Sequence, residues 1–209
     1  MVNKPGLLHQ LANIAAIRSV GRSLVNYLDA AYRQARFPEG VAKPECSFGL
    51  VSIGDQRPQR PEPADANVRV LIFLYRAIMN QHLRNAGRGD TASRPLPLSV
   101  DLHYLVSFWA GSGENEQIVL AWTMRELHQV PVLDRSILTE EAGWADSDVV
   151  QLVPQEISNE DLMRIWDTMP ADYHLSLPYI ARVVRIDPDE VETSENVVAT
   201  RVNFGVPAR

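Results

Sequence analysis

The stretch SVDLHYLVSFWA, residues 99–110, puts a carboxylate, an imidazole and two hydroxyls into one short span. Read as an extended chain, it alternates. Val100, Leu102, Tyr104, Val106 and Phe108 fall on one face, and Ser99, Asp101, His103 and Ser107 on the other. A histidine with a carboxylate and a hydroxyl is the raw material of hydrolysis, in which the imidazole takes the proton of the attacking group. Residues two apart in a strand lie about 6.5–7 Å apart, so Asp101 and His103 meet directly only with favourable rotamers. The stretch also lacks the sharp turn that presents a nucleophile in a G-x-S-x-G elbow. A small hydrolase using His103 with Asp101 stays as an alternative. The spacing favours a polar strand face turned to solvent or to another subunit.

The rest of the chain offers no better chemistry. His9 and His128 fall in helical patterns, His82 in a loop and His174 at a strand start, and no HxH or HxxxH pair exists. Cys46 is the only cysteine, so neither a zinc pattern nor an internal disulfide is available, and a reducing compartment is the simple reading. There is no Walker A or GxGxxG fingerprint. GRGD at 87–90 is a short match in a glycine-rich loop and carries no weight. Glu140/Glu141 and Asp187/Asp189 read as solvated charge. No catalytic, cofactor-binding or metal-ligating residue is assigned, and no cofactor is expected.

The elements that would position these residues follow from periodicity. Residues 8–36 carry apolar side chains at helical spacing, with Gly21 inside the pattern, and Pro38 and Gly40 end it. Residues 46–53 read as a strand. Residues 54–67 hold three prolines among many charges and read as a long loop. The run 68–78 is apolar on both faces, which predicts a central strand covered on both sides. A polar loop spans 81–95. After the strand at 99–110, Ser112 or Asn115 caps a helix running to about Val130. Residues 148–157 read as a strand, and Ser158 with Asp161 nearly matches a capping box for a short helix. The strand at 174–187 contains Pro178, which predicts a start at a sheet edge. The order helix, three strands, helix, strand, helix, strand predicts a single α+β domain over residues 1–187, with a mixed or antiparallel sheet flanked by helices. Residues 188–209 form a C-terminal strand or tail around NVVATRVNF.

Composition agrees with a globular chain: 209 residues, 45% hydrophobic and 22% charged, with a formal net charge of −6. No basic cluster has the density of a nucleic-acid footprint, and no apolar run approaches a membrane span. Neither nucleic acid nor membrane is therefore expected as a partner. Four tryptophans sit beside expected elements and read as core, with one exception. Trp144 lies in the acidic stretch EEAGWADSD, where something must cover it, and a partner subunit would serve.

Three ordered segments together resemble a known family: LPLSVDLHYLVSFWAG, then ENEQIVLAWTMRELHQVPVLDR, then ISNEDLMRIWDTMPADYHLSLPYIARVVRID. NVRVLIFLYRAIMNQHLRN fits the same pattern. They are similar to the N-terminal domain of the cap, or tail-terminator, proteins of extracellular contractile injection systems, of the antifeeding-prophage and Photorhabdus-virulence-cassette type. The resemblance covers roughly residues 10–187. It implies a structural protein rather than an enzyme, with a fold resembling phage tail terminators. It implies a homo-oligomeric, hexameric ring at the distal end of the particle, contacting inner tube and sheath, ending their polymerisation and joining the last sheath layer to the tube. It also implies assembly in the cytoplasm followed by release as part of an extracellular particle. A baseplate or adaptor component of the same particle is the alternative. The candidate ring contacts are Trp144 and, in the tail, Val197, Val198, Thr200, Val202 and Phe204, as an arm added to a neighbour's sheet or as a hairpin partner within the same subunit.

Overall fold

In the computed structural model, which describes residues 12–52, 67–80 and 97–188, the apolar runs become one six-stranded mixed sheet. Its strands are β1 (Glu45–Val51), β2 (Asn67–Met79), β3 (Leu98–Ala110), β4 (Val132–Leu133), β5 (Val150–Pro154) and β6 (Ser176–Ile186). They lie in the order β1-β2-β3-β6-β5-β4, with β1 parallel to β2 and every other pair antiparallel. The helices are α1 (Ala16–Gln34), α2 (Gly113–Gln129) and α3 (Asn159–Asp167), with a 3-10 turn at Glu140–Ala142. The expected element order holds, with β4 as an addition after Pro131. Of the helix expected over residues 8–36, residues 8–11 lie outside the described residues, and residues 12–15 lead through a turn into the helix, which begins at Ala16.

The two faces of the sheet build two cores. On one face, α1 presents Ala16, Val20, Leu24, Leu28 and Tyr32, a repeat of four that makes a single apolar stripe. That stripe packs with α2 on Val70 and Ile72 of β2 and on Val100, Leu102, Tyr104, Val106 and Phe108 of β3. Tyr32 and Trp122 meet edge to face at 4.8 Å. On the other face, α3 seals Leu71, Phe73, Leu105 and Trp109 with Trp166. The doubly apolar β2 is therefore covered on both sides, as its sequence requires.

Local chemistry sets the helix ends. Ser112 accepts from the Asn115 N–H, and Ser158 from the Asp161 N–H while donating its own hydroxyl to the Asp161 carboxylate. Asp161 thus works through the Ser158 side chain instead of reaching back to its backbone. Lys43 donates to the carbonyls of Tyr32 (2.6 Å), Arg33 (3.2 Å) and Ala35 (3.2 Å) at the end of α1, where the Tyr32 carbonyl also accepts from the Ala35 N–H at 3.1 Å. At Gly21, α1 lies close against β1: a Cβ there would stand 2.9 Å from a Leu50 methyl. The close approach offsets glycine's cost in a helix.

Pro178 corrects one expectation. β6 is an interior strand between β3 and β5. The Pro178 carbonyl accepts from the Gln155 N–H (2.9 Å), so the side lacking an N–H faces β5 where that strand ends. Only the last rung of the ladder is lost. Asp187 is a second correction. Its carboxylate is buried, paired with Arg185 at 2.8 Å and accepting from the Ala12 N–H at 3.2 Å, which ties the end of β6 to the chain before α1. Asp189 lies outside the described residues.

Tyr104 carries an anomaly. Its side chain is 1% exposed, its hydroxyl has no hydrogen-bond partner among the described residues, and burial pushes that hydroxyl above its usual pKa. An unpaired buried hydroxyl weakens the core by its desolvation cost. Tyr104→Phe is expected to leave thermal stability unchanged or raise it by up to about 1 kcal/mol; a loss of more than that, measured by reversible unfolding, would show that the hydroxyl has a structural partner.

Candidate assembly interface

The polar residues of β3 do not gather into one site. Asp101 faces an irregularity at which β6 inserts Arg182 and Val183 opposite it. Its carboxylate accepts from the Val183 N–H at 3.1 Å and from the Asn80 amide at 3.3 Å. Val183 has φ 63°, a left-handed conformation that a β-branched residue enters only under constraint. Asp101 is thus a clamp that holds the backbone in that shape. His103 instead pairs through Nδ1 with Gln155 Oε1 at 2.9 Å, and the Tyr75 hydroxyl donates to the same oxygen at 3.0 Å. Burial raises the Tyr75 pKa, keeping the phenol a proton donor. Ser107 accepts from the Trp109 indole at 3.0 Å and donates to the Leu71 carbonyl at 3.2 Å.

Each polar group therefore has its own structural partner, and no nucleophile, base and orienting acid line up. The expectation of a polar face turned to solvent or a subunit is corrected for its centre. His103 is 7% exposed and Ser107 is buried, because α3 and the chain after β5 cover that side. Beside them, an open cleft of about 610 Å³ separates β2 from α3. Its wall residues Asp161 and Arg164 are engaged with Ser158 and Glu160 respectively. Among the described residues no three His, Cys, Asp or Glu side chains come together to hold a metal ion, and no helix is long and apolar enough to cross a membrane.

Trp144 is also corrected. The ring is 1% exposed within the single chain. Its indole N–H donates to Ser19 Oγ at 2.9 Å, and Ser19 stands 2.7 Å from Thr139 Oγ1. Ser23 accepts from the Thr139 N–H at 2.9 Å, and Arg135 donates to the Trp144 carbonyl at 2.7 Å. The cover that the acidic stretch needs comes from α1 of the same chain, through serines that sequence periodicity records only as small helical residues. Val197, Val198, Thr200, Val202 and Phe204 lie outside the described residues.

Among the described residues, the sheet edges are what the fold leaves open. β4 has two residues and β1 has seven. Among the described residues, no β1 residue makes a backbone hydrogen bond outside its ladder with β2. A seven-residue edge is long enough to accept another strand. Its Cys46 does not add reactivity: burial, with a smaller contribution from Asp29, pushes the thiol up to about 12.

A family model described as the Pvc16 N-terminal domain matches residues 19–200. The chain belongs to that family. The fold is similar to the solved sheath/tube terminator of PVC, an extracellular contractile injection system, in its extended state, with a TM-score of 0.53 and 20% identity. That match covers 92% of this chain and 64% of the other. The tube-terminating cap of the anti-feeding prophage also aligns, at a TM-score of 0.48 and 18% identity over 94% of this chain and 62% of that one. The chain thus spans a little under two thirds of these solved chains. No curated protein sequence matches it.

Two substitutions test the polar clamps. Ser19→Ala is expected to cost about 1–3 kcal/mol, because it strands the buried Trp144 N–H; a neutral result in chemical denaturation would mean that the indole finds another acceptor. Val183→Gly is expected to gain about 1 kcal/mol by relieving the left-handed valine. A loss in the same assay would contradict the strain.

Proposed function

We propose that the chain is a structural cap, the terminator of a phage-tail-like contractile injection particle, which ends growth of tube and sheath and joins the last sheath layer to the tube. Membership of the Pvc16 N-terminal domain family across residues 19–200 carries this reading, and the terminator-like fold agrees with it. The polar residues of β3 support a non-enzymatic role, since each is spent on holding the fold.

The cap acts as a homo-oligomer, a six-fold ring, which assembles in the cytoplasm and leaves with the particle. A ring needs two different patches on each subunit, so that one copy's patch meets the other patch on the next. Residues 188–209 are the proposed arm between copies, with Val197, Val198, Thr200, Val202 and Phe204 as its contacts. The alternation in NVVATRVNF and the open edge of β1 support the arm over an internal hairpin.

Electron microscopy of particles made with and without the gene tests the terminator role. Without it, tubes are expected to be overlong, uncapped or unstable. Particles of normal length with intact distal caps would reject the terminator reading.

A further inference from the structure

A small pocket lies on the α3 side of the sheet, where β1 ends. Val51, Leu71, Phe73, Trp109, Trp166 and Met169 make its apolar walls, and Ala171 stands with them. Trp166 is 4% exposed, and its indole N–H has no hydrogen-bond partner among the described residues. A small aromatic-walled pocket is the form that interface anchor sites take. The cavity has room for about 40 Å³. At roughly 10–15 Å³ per water-sized group, this is space for about three such groups, the size of an isopropyl rather than a phenyl.

Val51 belongs both to this pocket and to β1, whose outer edge pairs with no strand among the described residues. A strand laid along that edge continues the sheet, and its alternate side chains fall on the α3 side. In NVVATRVNF the even-numbered residues from Val198 on, Val198, Thr200, Val202 and Phe204, make a more apolar set than Val197, Ala199, Arg201 and Asn203, and two of them carry an isopropyl group. From Pro188, fourteen residues reach Val202, a span of up to about 46 Å when extended, enough to leave one subunit for the next. We infer that the arm of one copy adds to β1 of a second copy and seats a valine of its even-numbered face, Val198 or Val202, in the Trp109–Trp166 pocket. This rests on the arm proposed above and names its landing site.

The test is disulfide trapping between two co-expressed, differently tagged full-length chains, both carrying Cys46→Ser. One carries Ala171→Cys, and the other Val197→Cys, Val198→Cys or Val202→Cys. Because only partners from different chains can pair, any covalent dimer of mixed tags reports an inter-copy contact. The even position that seats in the pocket, Val198 or Val202, is expected to trap about tenfold more dimer than Val197, since a disulfide forms only where the Cβ atoms approach closely. No mixed dimer, or equal yields at all three positions, would overturn the assignment. A second variant, Val198→Asp with Val202→Asp, changes the arm and leaves the described core intact. It is expected to shift the chain towards monomer in sedimentation, and an unchanged distribution, or a wild-type chain that stays monomeric, also overturns it. Tube length separates the two claims: normal length control without trapping rejects the anchor and leaves the terminator reading standing.

Discussion

β3 belongs to two cores at once, and this double burial constrains everything around it. Val100, Leu102, Tyr104, Val106 and Phe108 face α1 and α2, while Leu105 and Trp109 face α3. A strand buried on both faces cannot leave its polar side chains to water, so each needs an internal partner. Asp101, His103 and Ser107 find theirs on different elements: Val183 and Asn80, Gln155, and Trp109 with the Leu71 carbonyl. These contacts fix how β2, β5 and β6 sit against β3. The residue types of a hydrolytic site thus serve as joints of a sheet.

The irregularities follow the same logic. Between β2 and β3 the register skips at Tyr75, and the extra residue carries the hydroxyl that reaches Gln155. Between β3 and β6 it skips at Arg182 and Val183, where Asp101 supplies the acceptor that the ladder lacks. Bulges bend and twist a sheet locally. Here each one is braced by a side chain hydrogen bond, so the altered register is specified rather than tolerated.

The elements were legible in the sequence because their signals are local. Alternation marked β3, apolar run length marked β2, and serine caps marked α2 and α3. The burial of the polar face was not legible, because α3 reaches it from residues some sixty positions further on, and strand alternation cannot say which face a later helix will cover. Trp144 failed for the same reason. Its acidic neighbours suggested exposure, yet its partners are Ser19 and the Thr139 region. Buried serines in α1 were the one available hint, and small residues in a helix are equally suited to close packing. Pro178 misled because the rule about edges concerns one side of one residue, and that side happens to face the end of β5. The proposed interface was the least legible, since an open edge is a property of sheet order and not of any segment.

Sheet order also bears on how a cap could work. A subunit that continued a polymer would need complementary binding surfaces on two sides. Among the described residues this sheet is unequal at its ends: the edge strand β1 has seven residues, against two in β4. Backbone pairing scales with strand length, so a strand can dock productively on β1 and hardly at all on β4. On the proposed reading, β1 is filled by the neighbouring copy's arm and each subunit gives one arm while receiving one. Such a contact is heterologous and closes only if the rotation between copies returns to its start. Once closed, every long edge is occupied from within the ring, and none is left to template the next layer.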